Sequence, residues 1–113
     1  MGETGRDRAE IPPGTLYMLV LKTLALVGPA HGYGIAQHIQ QTSEILQVEE
    51  GSLYPALQRM LIKGWVTAEW GQSDNNRRAR YYRLTPLGRK QLSVEISEFS
   101  RVMEAITRVI QPA

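Results

Sequence analysis

The chain of 113 residues contains no cysteine and only two histidines. Without cysteine it has neither disulfide bonds nor thiolate metal ligands. The histidines, His31 and His38, are seven residues apart and have no third ligand of a suitable kind nearby, so the tetrahedral ligand set of zinc is missing. We therefore expect no metal site and no cofactor.

Long apolar runs are absent as well. No stretch approaches the roughly 20 apolar residues that a membrane-spanning helix needs. Residues 1–8 are polar and charged, and they lack the apolar segment of a secretion signal. We therefore expect a cytoplasmic protein that does not bind a membrane.

Recognisable catalytic patterns are also missing. The sequence contains neither a nucleophile elbow nor a pair of carboxylates arranged for acid–base chemistry. Ser52, His38 and Asp74 could be combined into a triad on paper, but each has an ordinary capping or surface role. We predict that the protein is not an enzyme.

The overall composition is that of an ordinary globular domain. Hydrophobic residues make up 42% of the chain and charged residues 21%, which suits one domain with a modest core. The net charge of +2 and a pI of about 9.2 indicate a polyanionic partner only weakly. The local clustering of charge is therefore more informative than its total.

The most informative stretch comprises residues 49–65. Its apolar residues Leu53, Leu57, Met60 and Leu61 recur at three- and four-residue intervals, which predicts the buried face of an α-helix. The opposite face is polar and small, and it comprises Ser52, Tyr54, Pro55, Gln58, Arg59 and Lys63. Such hydroxyl, amide and cationic groups can contact base edges and phosphates, although any amphipathic surface helix also has a polar face.

Both ends of this helix are marked. We place its start at residues 50–52, with Ser52 as the N-cap and Pro55 in the first turn, where the missing N–H leaves no hydrogen bond unmade. A start near Glu49 would place Pro55 deeper and kink the helix. Gly64 provides the left-handed residue that ends it.

Two helices and a short strand are predicted before this stretch. Thr15 caps the first helix, which runs through Leu26 and carries a broad apolar stripe. Residues 31–34 open the second helix, which ends near Thr42. Residues 46–48 are apolar at alternate positions and suit a very short strand.

A β-hairpin is predicted after Gly64. Residues 66–70 and 80–84 alternate with period two and are rich in β-branched or aromatic side chains, while residues 71–79 are turn formers. The arginines of this region are Arg77, Arg78, Arg80 and Arg83, against a single acid, Asp74. A solvated loop accounts for this basic tip, but a phosphate clamp accounts for it better because the hairpin follows a polar-faced helix.

A long helix is predicted at the end of the sequence. Thr85 and Pro86 mark its start as N-cap and first residue, and the helix runs to about Ile110, a length of roughly 38 Å. Its apolar stripe has the 4-3-4-3-4 spacing of a coiled coil and comprises Leu92, Ile96, Phe99, Met103, Ile106 and Ile110. Because this helix overhangs a small core, a second copy of the chain is the simplest cover for its far half.

The order of these elements is that of a winged helix-turn-helix, a mainly α fold with a small β-hairpin, followed by a long dimerisation helix. The sequence resembles the PadR family of transcriptional regulators over residues 11–110. The motifs that carry the resemblance are His31-Gly32-Tyr33-Gly34-Ile35, Gly51-Ser52-Leu53-Tyr54-Pro55-Ala56-Leu57 and Arg80-Tyr81-Tyr82-Arg83-Leu84-Thr85-Pro86-Leu87-Gly88. The resemblance is to the shorter subgroup, in which a single C-terminal helix is the dimer element.

The resemblance implies a dimeric repressor that binds palindromic promoter DNA and releases it on binding a small effector. It implies a flexible arm in residues 1–10, a DNA-binding domain in residues 11–85 and a dimerisation helix in residues 86–113. By this resemblance, the DNA-contacting residues would be Tyr33, Gln37, Ser52, Tyr54, Gln58, Arg59, Arg77, Arg78 and Arg80. We add Lys63, which belongs to the polar face of the same helix. The other reading is a winged-helix module that binds a protein and no DNA, against which the basic wing argues.

The effector site is the least defined part of the resemblance. Leu16 and Leu19 of the first helix and Phe99 and Met103 of the last would line an adaptable apolar cavity at the dimer axis. Phe99 stands where some relatives carry tryptophan, which leaves a smaller platform for a flat aromatic ligand. The same four side chains are equally well read as packed core.

Overall fold

The computed structural model describes residues 9–12 and 14–112. Within them, the helices and strands are β1 (Ala9–Glu10), α1 (Leu16–Val27), β2 (Ala30–His31), α2 (Gly32–Thr42), β3 (Leu46–Gln47), α3 (Glu50–Ile62), β4 (Val66–Gln72), β5 (Arg78–Leu84) and α4 (Pro86–Ile110). Every helix of the sequence prediction is present, and α4 has the predicted bounds. None of the helices in this part of the chain is long and apolar enough to cross a membrane.

The apolar faces of α1, α2 and α3 meet in one core. Leu21 of α1, Ile35 of α2 and Leu57 of α3 are completely buried there, as the three- and four-residue spacings predict. Val66 and Tyr82 of the hairpin close the core on one side. Each of the fully buried aliphatic side chains contributes about 1.5–3 kcal/mol to stability through its removal from water.

The hairpin of β4 and β5 belongs to a three-stranded antiparallel sheet in the order β2-β5-β4. The predicted strand at 46–48 forms at Leu46–Gln47, and it pairs in parallel with β1. Neither β1 nor β2 was predicted, because each is defined by its pairing with a distant strand and has no alternating apolar pattern of its own. Residues 1–8 of the predicted flexible arm lie outside the described residues, whereas Ala9 and Glu10 pair with β3.

The predicted N-cap of the third helix is wrong. Glu49, not Ser52, occupies that position, and its carbonyl oxygen accepts the N–H groups of Ser52 and Leu53 at 3.0 and 2.9 Å. Helix α3 therefore starts at Glu50, the early end of the predicted range, and Pro55 lies inside the helix beyond its first turn. The glycine stop is confirmed, since Gly64 has φ of 78°.

Thr15 is the N-cap residue of α1, as predicted, but its side chain does not cap the helix. Its hydroxyl donates instead to the carbonyl oxygen of Pro12 at 2.8 Å, which ties the preceding segment to the helix start. The difference arises because Thr15 has helical dihedral angles rather than the extended ones that aim a capping oxygen at the free N–H groups.

The start of α4 is tied to the turn that follows α3. The Thr85 hydroxyl oxygen accepts the N–H of Gly88 at 3.0 Å, and the hydroxyl is also 2.7 Å from the carbonyl oxygen of Gly64. A Cβ at Gly88 would collide with the carbonyl oxygen of Trp65, so glycine permits this close approach. The first turns of α4 consequently pack on the winged-helix domain, and Leu92 joins its core.

Candidate nucleic-acid interface

The outward face of α3 is defined by the residues that its other face buries. Leu53, Ala56, Leu57 and Met60 are buried, and at about 100° per residue the opposite face is centred on Gly51, Pro55, Gln58 and Ile62. Of these four, Gln58 has the only polar side chain, with an amide that can both donate and accept. Ile62 is 79% exposed and extends this face with an apolar side chain.

Tyr54 borders the outward face on the side of α2. Its ring packs against Gly32, where an added Cβ would lie 2.6–2.7 Å from ring atoms and the hydroxyl. Burial raises the pKa of the Tyr54 hydroxyl, and the charges of Glu50 and Tyr82 raise it further. The hydroxyl therefore remains a protonated donor at neutral pH. On α2, the side chains of Tyr33 and Gln37 are exposed.

Arg59 and Lys63 border the outward face on the side of α1, and both rest on aromatic rings. The Arg59 Nε donates to the Tyr17 hydroxyl at 2.5 Å, and the Lys63 ammonium lies 5.2 Å from the centroid of the Trp65 ring. The Tyr17 and Trp65 rings meet edge to face with centroids 5.4 Å apart. Tyr17 was not predicted as part of the site because it is 42 residues from Arg59 in the sequence. Trp65 was not predicted because it lies beyond the glycine that ends α3.

The start of α2 is capped by the side chain of His31. The His31 Nδ1 accepts the N–H of Gly34 at 3.0 Å, and its ring meets that of Tyr81 at a centroid distance of 5.2 Å. Pairing of β2 with β5 brings the two rings together. His31 therefore links α2, which carries Tyr33 and Gln37, to the hairpin.

The tip of the hairpin is shorter than predicted. The ladder continues through the pairs Gly71–Ala79 and Gln72–Arg78, so the turn comprises residues 73–77 rather than 71–79. The Ser73 N–H donates to the carbonyl oxygen of Arg77 at 2.7 Å, and Asn76 takes the left-handed conformation with φ of 65°. Turn-forming composition alone does not show where cross-strand hydrogen bonding stops.

The wing arginines consequently occupy different places. Arg77 lies in the turn, whereas Arg78, Arg80 and Arg83 lie on β5. Because side chains alternate along a strand, Arg78 and Arg80 share one face of the hairpin and Arg83 lies on the other. The Cζ atoms of Arg78 and Arg80 are 4.5 and 6.0 Å from the centroid of the Trp70 ring. The four arginines that are clustered in the sequence therefore lie in three places: the turn, one face of β5 and the opposite face of β5.

The predicted dimer seam is only partly exposed. Leu92 is 7% exposed and is buried within its own chain. The other five predicted seam residues are exposed on α4, and two valines widen the stripe; together they are Ile96, Phe99, Val102, Met103, Ile106, Val109 and Ile110. Of the four predicted effector residues, Leu16 and Leu19 are half-buried on α1 and pack against the core, while Phe99 and Met103 are exposed.

A helical core with an exposed helix face, followed by a β-hairpin, is the winged helix-turn-helix class of fold, as predicted. The sequence profile of the transcriptional regulator PadR-like family matches residues 20–94 of the chain. The chain belongs to this family, and as a transcriptional regulator it is not an enzyme.

One relative and two solved structures illustrate what the chain is similar to. A protein from Lysinibacillus sphaericus that is named only as uncharacterized is 34% identical over 100 residues, covering 88% of this chain and 91% of its own length. A transcriptional regulator from Clostridium thermocellum has 27% identity and a TM-score of 0.77, over 87% of this chain and 95% of that one. A PadR family regulator from Eggerthella lenta has 26% identity and a TM-score of 0.74, over 88% of this chain and 85% of that one.

Proposed function

We propose that the chain is a cytoplasmic repressor that binds palindromic operator DNA as a homodimer. The observation that carries this proposal is the outward face of α3, where exposed polar and cationic side chains surround Gln58, directly before a hairpin with three arginines at or near its turn. A helix of this kind fits the major groove, and cations on a projecting hairpin neutralise phosphates.

Within α3 the side chains divide by position. Gln58 lies at the centre of the outward face, so its amide is the group that reaches a base edge, with adenine as its preferred partner. Ser52, Tyr54, Arg59 and Lys63 lie at the borders and meet the sugar–phosphate walls of the groove. Arg59 has one N–H committed to Tyr17, and its remaining donors are available to a phosphate.

The dimer follows from the exposed stripe on α4. Seven apolar side chains along one helix face form a contiguous surface of the kind that marks a protein interface. The 3.5-residue repeat suits packing against another helix of the same kind. Two DNA-binding domains related by a two-fold axis would read a near-palindrome with half-sites about one helical turn of DNA, about 34 Å, or a multiple of it, apart.

The effector is proposed to be a small apolar or aromatic molecule held near the dimer axis by Phe99, Met103, Leu16 and Leu19. The exposed ring and thioether on α4 support this, because a flexible methionine adapts to different ligand shapes. Such a ligand must bind the arrangement of the domains that does not fit DNA more tightly than the one that does. Titration of planar aromatic compounds into the protein–DNA complex tests this, with Phe99→Ala as the variant expected to lose the response.

DNA binding is tested with a duplex from the promoter region upstream of the protein's own gene and a scrambled duplex of the same composition. Gln58→Ala should cost about 1–3 kcal/mol on the operator and leave binding to the scrambled duplex nearly intact. The double change of Arg77 and Arg78 to alanine should weaken binding to both duplexes alike. It should also lower the slope of affinity against salt by about one unit per lost phosphate contact.

The outcome separates the two functions considered for this fold. Operator binding by the wild type with different responses of the two variants supports the proposal. No binding of either duplex, at low salt and high protein concentration, would favour a module that binds protein instead. Equal losses from Gln58→Ala and the arginine variant would contradict the proposed placement of α3 and the wing.

A further inference from the structure

Trp70 is a large aromatic side chain on the hairpin, and it is 58% exposed. It lies on the same face of β4 as Val66, which is buried in the core, but four residues nearer the turn. The core therefore covers Val66 and leaves most of the Trp70 indole ring exposed. A ring exposed to this extent is not explained by burial of apolar surface.

Two guanidinium groups lie close to the Trp70 ring. Arg80 is the direct cross-strand partner of Trp70, and Arg78 lies two residues further along the same face of β5. Their Cζ atoms are 6.0 and 4.5 Å from the ring centroid. The electron-rich face of an indole attracts cations, which offsets part of the repulsion between two like charges held this close.

Both guanidinium groups keep their hydrogen-bond donors. In the described part of the chain, the salt bridges are Arg101–Glu98 and Arg108–Glu104 on α4, and neither includes a wing arginine. A contact with a ring face does not consume the N–H groups at the edge of the guanidinium plane, which are the groups that match phosphate oxygens. The N–H groups of Arg78 and Arg80 are therefore available to phosphate oxygens.

We propose that Trp70 is a positioning residue for DNA binding, which holds Arg78 and Arg80 side by side so that both contact phosphates of the DNA backbone. This inference rests on the proposed DNA binding. It adds that the Trp70 ring restricts the two arginine side chains of the hairpin before DNA binds. Free arginine side chains lose rotamer freedom when they bind, and a ring that already restricts two of them reduces that cost. Phosphates are the expected partner because the effect requires charge and geometry but no base sequence.

Arg83 provides a matched control within the same strand. It carries the same charge as Arg78 and Arg80, but it lies on the opposite face of β5 and pairs across the ladder with Thr67. Removal of Arg83 changes the net charge by the same amount as removal of Arg78 or Arg80, which we call the platform arginines. Only the platform arginines should depend on Trp70.

The experiment measures affinity for the operator duplex and the scrambled duplex over a range of salt concentrations. Trp70→Leu should weaken binding to both duplexes about three- to tenfold, the size expected for exposed cation–ring contacts at two arginines. Trp70→Phe should retain most of the affinity because it keeps a ring. In a chain that already carries Arg78→Ala and Arg80→Ala, Trp70→Leu should have no further effect, whereas with Arg83→Ala its effect should add in full.

Thermal melting checks that each variant folds, which the exposure of Trp70 favours. Unchanged affinity of Trp70→Leu, or an undiminished effect of Trp70→Leu in the background that lacks both platform arginines, would overturn the positioning role. Both results leave the proposed function standing, because wild-type binding is measured in the same series. Failure of the wild type to bind either duplex overturns the proposed function and this inference with it.

Discussion

The two halves of α4 carry the same apolar repeat but differ in what covers it. In the first half, Leu92 is 7% exposed and packs into the core with α1. From Ile96 to Ile110, which we call the far half of α4, the exposed fraction of the large apolar side chains ranges from 39% at Phe99 to 83% at Val109. A repeat in the sequence therefore indicates that a helix face will be covered, and the surrounding fold decides which residues its own chain covers.

This difference also separates the stability of the folded chain from the stability of the proposed dimer. The winged-helix core is complete within one chain, since its central residues Leu21, Leu57 and Met60 have no exposed surface. The far half of α4 extends beyond that core, and its proposed cover is a second copy. A change in the core should therefore act on the folding of one chain, and a change in the far half should act on association.

The largest expected effect comes from placing charge in the far half of α4. Changing Ile96 and Met103 to glutamate would bury like charges across the proposed two-fold axis, at a cost of several kcal/mol for each buried charge. Analytical ultracentrifugation should show a monomer or an unfolded chain. A dimer that survives both changes would exclude this seam as the interface.

The next effect is that of a cavity in the core. Leu57→Ala should lower the free energy of unfolding by about 2–5 kcal/mol, because Leu57 is completely buried between α1, α2 and α3. The matched change in the far half, Ile106→Ala, should instead raise the dimer dissociation constant. Chemical denaturation at several protein concentrations distinguishes the two variants. If the denaturation midpoints of both variants depended on protein concentration in the same way, the core and the far half of α4 would not differ as proposed.

A smaller effect is expected at the junction of the two regions. Gly88→Ala places a Cβ against the carbonyl oxygen of Trp65, so the first turn of α4 must shift away from the turn after α3. We expect a loss of about 1–3 kcal/mol, the usual cost of overpacking, with no change in the helical content measured by circular dichroism. Gly51→Ala, where a Cβ meets open space, is the matched control.

The smallest effect concerns the pH dependence of stability at Tyr54, at the border of the outward face of α3. The pKa of Tyr54 is raised above its ordinary value of 10.0, first by burial and then by the charges of Glu50 and Tyr82. A raised pKa means that the folded state holds this proton more tightly than the unfolded state. The contribution of the Tyr54 proton to stability is therefore fully present below pH 10.0, and it is lost as the pH rises from there through the folded-state pKa.

Tyr54→Phe should remove this part of the alkaline loss of stability, while changes in the far half of α4 should leave it unaltered. Denaturation midpoints measured between pH 8 and pH 11 provide the test. An alkaline slope of the same size in Tyr54→Phe would assign it to other groups.

The order of the helices along the chain could be predicted from the sequence because each helix has strong local signals. The period of the apolar residues, the Thr85–Pro86 start and the Gly64 stop depend on the backbone and its near neighbours. The bounds of α4 and the presence of α1, α2 and α3 were therefore correct. The start of α3 was less certain, since Glu49 and Ser52 compete for one cap position and the chain path before the helix decides between them.

The contacts between distant residues were the ones that sequence reasoning missed. The pairing of β2 with β5, the aromatic pair under Arg59 and Lys63, and the ring under Arg78 and Arg80 join residues from separate elements. Only Trp70 and Arg80 carried a usable signal, since a hairpin of known register places them opposite each other. The predicted strands 66–70 and 80–84 end at this same pair, but the nine-residue turn predicted between them does not by itself fix the register.

By itself, then, the sequence determined that three helices, a basic hairpin and a long amphipathic helix follow one another, and that one helix turns a polar face outward. These features arise from hydrogen bonds and side-chain periods within a few residues. Only the tertiary structure decided that Leu92 is covered by its own chain while Phe99 is not, and that Arg78 and Arg80 share a ring while Arg83 lies apart. Those outcomes depend on which elements pack together, because burial and cation–ring contacts form where side chains of different elements meet in space.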